Sequence, residues 1–308
     1  MAGVYGPADE SESIATIHAA LDAGVTLLDT GDFYGMGTNE MLIRRALEGR
    51  AREDVTISVK FGSLRGPDGQ MFGFDASPSF LKTSLAYSLN RLGTDYVDIY
   101  RPARLDSDTP IEETAGAIAE LIEAGYVRQM GLSEIGAETL RRAHAVTPIS
   151  DLQIEYSLIS RGIEREILPA ARELGVPITA YGLLSRGLLS GHWSPERSRA
   201  GVRARMPRFD QANVQHNLEL VERLRAVADD IGAPVSQIAI AWATGRGGDD
   251  IVPLIGARTR EQLADWLAAV ELELSPEQLD QIEAAVPADA VAGERYPEAQ
   301  MRVLDSEH

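Results

Sequence analysis

Short apolar runs alternate with amphipathic stretches along nearly the whole chain. In residues 10–24, Ile14, Ile17 and Leu21 recur at the spacing of one helical face, which predicts an amphipathic helix. The next residues, VTLLDT (25–30), form an apolar run that is too short for a helix and typical of a buried strand. The same alternation continues almost to the C-terminus, so the pattern predicts an α/β fold.

The alternating pattern contains seven predicted strands with helices between them. The predicted strands are residues 25–29, 55–60, 96–101, 128–132, 151–154, 177–181 and 251–255. Strands that alternate with helices pair in parallel through right-handed crossovers. A closed (β/α)8 TIM barrel has eight strands, and the strand that would precede the first helix is missing from this pattern. A doubly wound sheet would instead show a G-x-G-x-x-G turn after an early strand, and the absence of that turn favours the barrel.

The length of the chain, 308 residues, fits one large α/β domain or two ordinary ones. Hydrophobic residues make up 44% of the chain, which is enough for a sizeable core. Because the strand and helix pattern runs without interruption, we predict a single barrel domain over residues 1–308. It would carry a long loop at 183–213 and an irregular C-terminal tail at 286–308.

Composition argues against several classes of function. The net charge of −18 and the pI near 4.7 disfavour a broad basic face for nucleic acid. The absence of cysteine excludes disulfides, thiolate catalysis and cysteine-based metal sites. The N-terminal residues do not resemble a signal peptide, no apolar run is long enough to span a bilayer, and the five histidines lack metal-ligand spacing. We therefore expect a cytoplasmic protein with no metal and with neither a membrane nor a nucleic acid as partner.

Polar residues stand at the ends of several predicted strands, where βα barrels carry their chemistry. Asp29 and Lys60 end neighbouring strands, which lie about 4.8 Å apart, and Tyr34 lies in a glycine-flanked loop after Asp29. An ammonium beside a phenol favours the phenolate, so Tyr34 would act as a general acid near neutral pH while Asp29 holds Lys60. Such a trio suits protonation of a carbonyl oxygen. Taken singly, the same residues also fit a strand-end turn, a half-buried loop aromatic and a lysine at the barrel rim.

The sequence around these residues resembles the aldo-keto reductase family. The resemblance lies in LLDTGDFYGMGTNEMLIRRAL and VTISVKFG, and it continues through YVRQMGLSE, LQIEYSL, TAYGLLSRGLLSG and IVPLIGARTREQL. It extends from about residue 5 to 285. The resemblance implies a (β/α)8 barrel that binds NADP(H) without a Rossmann fold and reduces aldehydes and ketones. It also implies that Asp29, Tyr34 and Lys60 are the catalytic Asp, Tyr and Lys of the family.

The nicotinamide end of the cofactor is implied to meet three residues. The family's serine and glutamine that hold the carboxamide match Ser133 and Gln153, and the aromatic that stacks on nicotinamide matches Tyr181. The family's usual asparagine after the serine is Glu134 here. One carboxamide contact is therefore altered.

The phosphate groups of the cofactor are implied to meet two further segments. The loop LLSRGLLSG (183–191) matches the segment along the pyrophosphate, with Leu184 and Arg186 as its contacts. The segment GARTREQL (256–263) matches the surroundings of the adenosine 2′-phosphate, with Gly256, Arg258 and Gln262 on the binding positions. A guanidinium there would let an acidic protein hold an anionic cofactor.

The substrate pocket departs from the family's pattern in YVDIYRPARLD (96–106). Ala103 stands where the family normally has a histidine that orients the carbonyl. Arg101 shares a face of an ideal strand with position 103, so we expect its guanidinium to replace the histidine in part. Trp193 in the long loop is a further candidate wall of the pocket, as are Phe209 and Tyr296.

The N-terminus departs from the family as well. Residues 1–7, MAGVYGP, begin about where the family's first barrel strand ends. We expect either a barrel that is open between its first and last strands or a natural chain that extends upstream of Met1. An open barrel would expose two strand edges. A partner chain could cover them, which leaves the oligomeric state open.

The leading functional hypothesis is NADPH-dependent reduction of a small aldehyde or ketone to an alcohol, with the proton coming from Tyr34. The alternative is a cofactor-binding redox sensor or pseudoenzyme with little turnover, which the missing histidine and strand favour. A third hypothesis is Schiff-base aldolase chemistry at Lys60, which predicts an adduct trapped by borohydride and no need for NADPH.

Overall fold

The computed structural model describes residues 9–194 and 201–308 as a (β/α)8-like fold. Within these residues, seven parallel strands form one curled sheet in the order β1-β2-β5-β6-β7-β8-β9. The strands of this sheet are β1 (Leu27–Gly31), β2 (Thr56–Phe61), β5 (Val97–Pro102), β6 (Val127–Ser133), β7 (Ile149–Glu155), β8 (Ile178–Tyr181) and β9 (Ile251–Leu254). An antiparallel hairpin, β3 (Ser63–Arg65) with β4 (Met71–Phe74), follows β2.

Helices precede, connect and follow the strands of the sheet. They are α1 (Glu10–Asp22), α2 (Thr38–Ala46), α3 (Pro78–Leu92), α4 (Ile111–Glu123), α5 (Ala137–Val146), α6 (Ile167–Leu174), α7 (Gln211–Ile231), α8 (Val235–Gly247), α9 (Arg260–Val270), α10 (Pro276–Ala285) and α11 (Glu298–Met301). Local sequence sets several of their ends. Ser77 caps the start of α3, because its side chain accepts a hydrogen bond from the N–H of Phe80, and Pro78 is the first residue of the helix. Gly93 ends α3 in the left-handed conformation.

The strand register brings the predicted site residues to one edge of the sheet. Gly31 pairs with Lys60, Lys60 pairs with Arg101, and Ser133 pairs with Gln153. Because all seven strands run in the same direction, their C-terminal ends lie together. The loops that follow β1, β5, β6, β7 and β8 therefore meet over this edge.

The strands and the main helices predicted from the sequence are confirmed, with differences of a few residues at their ends. A short 3-10 turn at Gly162–Glu164 precedes helix α6, which begins at Ile167. The hairpin β3–β4 was not predicted: Met71 and Phe72 are exposed, so the segment lacks the buried face that marks the other strands. The prediction of a wholly irregular tail is also incomplete, because residues 298–301 form α11.

Strands β1 and β9 are the two edges of the sheet in the part of the chain that the structure describes. The N-terminal residues that bear on the eighth strand, 1–8, lie outside the described residues, and so do residues 195–200 of the predicted long loop. The single-domain boundaries stay a prediction. No helix of the described ranges is long and apolar enough to cross a membrane.

Candidate active site

Lys60 and Asp29 form a nearly buried ion pair across strands β1 and β2. The ammonium donates to Asp29 Oδ2, and the two side chains are only 5% and 8% exposed. The other carboxylate oxygen, Oδ1, accepts from Gln153 Nε2 at 2.8 Å and from Ser58 Oγ at 3.1 Å. Asp29 is thus fixed by three neighbours, and it fixes Lys60 in turn.

Tyr34 lies beside this ion pair. The Lys60 ammonium is 5.0 Å from the centre of the Tyr34 ring, and Phe33 packs edge-on against the same ring at 4.9 Å. A tight left-handed turn follows, with φ of 57° at Gly35 and 53° at Met36. The structure therefore brings the predicted catalytic residues Asp29, Tyr34 and Lys60 together.

Ser133, at the end of β6, pairs with Gln153, two residues before the end of β7. The Ser133 hydroxyl is buried, and Oγ has no hydrogen-bond partner among the residues that the structure describes. A buried polar atom without a partner is rare in proteins and points to a group that completes the site. Gln153 instead uses its amide nitrogen on Asp29.

Glu134, which replaces the family's asparagine, faces the C-terminal tail. Its carboxylate accepts from Arg295 at 2.5 and 3.0 Å, from Ser306 Oγ at 2.9 Å and from Tyr181 Oη at 2.7 Å. Burial alone would raise the pKa of Glu134, but the Arg295 guanidinium outweighs it and lowers that pKa to about 2. The carboxylate is therefore ionised and committed to the tail.

Tyr181 ends β8 and is held by two oxygens. It donates to Glu134, and its hydroxyl oxygen lies 3.1 Å from that of Tyr296. Burial and the Glu134 carboxylate raise the pKa of Tyr181 well above its usual value. Tyr181 consequently keeps its proton.

A second buried acid, Glu155, ends β7 and is surrounded by arginines. Arg186 donates to it at 3.2 Å, and Arg295 and Arg208 lie 3.6 and 3.8 Å away. Burial opposes the charge, yet these guanidinium groups lower the pKa of Glu155. Leu184, next to Arg186 in this loop, packs against the core. Arg186, one of the two residues predicted at the pyrophosphate, thus lies among charged side chains of both signs.

The predicted 2′-phosphate segment lies between β9 and α9. The N–H of Arg258 donates to Gln262 Oε1 at 3.0 Å, which closes the turn at the helix start. Gly256 is exposed, and nothing lies within 4 Å of the place where a Cβ would stand. Open space and a guanidinium at one turn fit a bound phosphate.

Arg101 was expected to place its guanidinium in the substrate pocket, but its side chain lies inside the sheet. Its side chain is 0% exposed and donates to Asp151 at 2.7 Å and to Ser58 at 3.0 Å inside the curled sheet. Gly131 makes room for it, since a Cβ there would meet the Arg101 Cζ at 3.0 Å. The guanidinium is engaged in the sheet interior and not at the strand ends. Its part in substrate binding stays a prediction.

The other two predicted pocket residues lie nearer to the loops. The N–H of Ala103 donates to Phe61 O at 2.8 Å, so the residue directly follows the paired part of β5. Ala103 is buried. Trp193 stacks on Phe209 at 5.4 Å within the long loop. Neither contact assigns a role in substrate binding.

Sequence reasoning missed the arginines that meet at this edge, above all Arg104, Arg208 and Arg295. Their positions in loops and in the tail carry no periodic signal. One signal was local: Arg104 follows the altered position 103 directly in RPAR. The structure adds another, because Glu134 and Arg186 adopt left-handed φ angles of 55° and 56°, a strained conformation that is enriched at functional sites.

The chain is similar to known proteins over nearly its full length. The model of the aldo/keto reductase family matches residues 1–287. A probable aldo-keto reductase 1 of Glycine max is 39% identical over 301 residues, which cover 96% of this chain and 86% of that protein. The structure of a glycerol dehydrogenase from Gluconobacter oxydans is 28% identical, covers 94% of this chain and 90% of its own, and superposes with a TM-score of 0.84.

A structure of an aldo-keto reductase from Klebsiella pneumoniae in complex with NADPH shares the fold. It is 24% identical, covers 92% of this chain and 89% of its own, and has a TM-score of 0.72. Together with the family match, these similarities support the resemblance that the sequence motifs indicate.

NADP(H) is the cofactor of this family, and the residues at the strand ends fit it. The unpartnered Ser133 hydroxyl suits a carboxamide, and the Arg258 turn suits a phosphate. Among the described residues no group of His, Cys, Asp and Glu side chains could hold a metal ion. The chain belongs to the aldo/keto reductase family, whose members are NADP(H)-dependent oxidoreductases that act on carbonyl compounds.

Proposed function

We propose that this protein reduces small aldehydes or ketones to alcohols with NADPH and that Tyr34 supplies the proton. The observation that carries the proposal is the position of Lys60 between Asp29 and Tyr34. A fixed positive charge beside a phenol stabilises the phenolate that remains after proton transfer. The same trio would serve the reverse oxidation with Tyr34 as base.

Each member of the trio has a separate task. Tyr34 donates its hydroxyl proton to the carbonyl oxygen of the substrate as charge develops there. Lys60 stabilises the resulting phenolate, and Asp29 holds the Lys60 ammonium in place and keeps it charged. When bound, NADPH supplies the hydride that reduces the carbonyl carbon.

The cofactor is proposed to lie along the C-terminal edge of the sheet. Ser133 would bind the carboxamide, Tyr181 would lie against the nicotinamide ring, and Arg186 would meet the pyrophosphate. Gln153 contributes mainly through Asp29, to which its amide donates. Glu134 is not available for the carboxamide, because Arg295, Ser306 and Tyr181 already occupy its oxygens.

The long loop and the tail are proposed to shape the substrate pocket within a single domain. Trp193 and Phe209 stack on one another in the loop, and Tyr296 anchors the tail to Tyr181. The tail thereby reaches the end of β8. We infer that substrate choice depends on the loop and the tail more than on the geometry of the strands.

The proposal is tested with the purified chain, NADPH and a panel of aldehydes, with NADH alongside. Binding is followed by NADPH fluorescence and turnover by the loss of NADPH absorbance. We expect NADPH to bind more tightly than NADH and to be oxidised when an aldehyde is added. Binding without oxidation by any aldehyde or ketone would support the redox-sensor alternative and contradict the reductase.

A further inference from the structure

Arg104 stands directly beyond the strand end that neighbours the catalytic lysine. The register pairs Arg101 with Lys60, and the N–H of Ala103 donates to Phe61 O at 2.8 Å. Arg104 is the next residue, and three residues of extended chain span about 10 Å at most. The Arg104 side chain therefore starts within the length of a small substrate from the Lys60 strand.

A small cavity with largely apolar walls contains Arg104. Phe74 of the β3–β4 hairpin and Tyr296, Val303 and Leu304 of the tail line it. Gln300 adds a neutral polar group. The cavity thus places one cation among rings and aliphatic chains.

The charge of Arg104 has no ion-pair partner in the described part of the chain. Its guanidinium donates to the carbonyl oxygen of Ala103 at 2.5 Å, and no carboxylate of those residues lies within ion-pair distance. Burial disfavours the charge, but Tyr181, Tyr296 and Glu134 nearby outweigh it and raise the pKa of Arg104. Glu134 itself is taken up by Arg295.

A half-buried cation without a carboxylate partner is costly unless a ligand supplies the opposite charge. We propose that Arg104 binds a carboxylate on the substrate, so that the preferred substrates are small aldehydes or ketones that carry an acid group away from the carbonyl. This inference rests on the proposed reductase function. Arg104 is then a specificity residue that holds the far end of the substrate while Tyr34 meets its carbonyl oxygen.

The test compares terephthalaldehydic acid with its methyl ester, which differ in charge at the far end of the same aldehyde. We expect kcat/KM for the acid to be at least about tenfold higher than for the ester, which is the usual effect of one charge-assisted hydrogen bond. Arg104→Met should remove that preference and leave the ester rate nearly unchanged. Arg302→Met is the matched control, because Arg302 is an exposed tail arginine that pairs with Glu298, and it should keep the preference.

A binding measurement separates this inference from the proposed function. Benzoate and its neutral analogue benzamide are titrated calorimetrically into the protein saturated with NADP⁺. Tighter binding of benzoate that disappears in Arg104→Met supports the inference even if no aldehyde is turned over. Equal affinities in the unchanged protein, or a benzoate preference that survives Arg104→Met, would overturn it, whereas oxidation of NADPH by both aldehydes would leave the reductase function standing.

Discussion

Lys60 donates to Asp29 across neighbouring strands, and this nearly buried contact holds the ammonium 5.0 Å from the centre of the Tyr34 ring. The contact depends on the register, which places Asp29 opposite Ser58 and so two residues before the position opposite Lys60. Gln153 reaches the same carboxylate from β7 on the far part of the sheet. The curl of the sheet, and not sequence proximity, therefore assembles the site.

Loss of the Arg101 guanidinium should affect stability first. Arg101 and Asp151 form a fully buried pair, so Arg101→Met leaves a buried carboxylate without its main partner. We expect a loss of about 3–5 kcal/mol in the free energy of unfolding, measured by urea denaturation. Arg142→Met, which breaks the exposed pair with Glu112, is the control and should change little.

A small loss of stability in Arg101→Met together with a specific fall in kcat would instead support the sequence-based expectation of a pocket role. The two outcomes are distinguishable because the first lowers the free energy of unfolding, whereas the second lowers kcat alone.

Asp32, close to Tyr34 in the chain, should make the stability of the protein depend on pH. Burial and the neighbouring Glu40, against the opposing effects of Ser84 and Arg91, raise the pKa of Asp32 from 3.8 to about 6. Between these values the folded protein keeps a proton that the unfolded chain has lost, so this contribution to stability is present at low pH and is lost as pH rises through 6.

Asp32→Asn should therefore gain stability relative to the unchanged protein as pH rises from 4 to 7.5. A difference of roughly two pH units corresponds to about 3 kcal/mol at most. Urea unfolding of both proteins at the two pH values measures it. A constant difference between the proteins at both pH values would contradict the elevated pKa.

Arg258 should distinguish NADPH from NADH. We expect Arg258→Met to weaken the binding of NADPH at least about tenfold and to change the binding of NADH little, since only NADPH carries the 2′-phosphate. Fluorescence titration of both cofactors measures the ratio. Arg260→Met serves as control, because Arg260 is exposed and pairs with Glu12. An equal effect of both variants would show that position 258 does not bind the phosphate.

Glu134 should hold the C-terminal tail. In Glu134→Gln the buried Arg295 loses the charge of its main partner. We expect the free energy of unfolding to fall by about 3–5 kcal/mol. Limited proteolysis should then cut within residues 286–308 before the rest of the chain. Glu298→Gln, in an exposed pair of the same tail, should leave both readouts near those of the unchanged protein. Protection of the tail in Glu134→Gln would refute the tethering role.

Hydrophobic periodicity and local motifs were enough to predict the strands of the sheet and the residues at their ends. Asp29, Tyr34 and Lys60 could be predicted to lie together because strand ends of a parallel sheet converge and because the motifs around them are distinctive. The interior place of Arg101 could not be predicted, since it requires the space left by Gly131 and the partner Asp151 on another strand. The attachment of the tail through Arg295 and Glu134 spans 161 residues and leaves no local pattern.

The most direct test of the central claim compares Tyr34→Phe with the unchanged protein in NADPH binding and in the reduction of an accepted aldehyde. The variant keeps the ring beside Lys60 and removes only the hydroxyl, so NADPH should bind as before. Turnover should fall about 10²–10⁴-fold, the usual contribution of a positioned acid. Turnover that persists at the original rate in Tyr34→Phe would contradict the assignment of Tyr34 as proton donor.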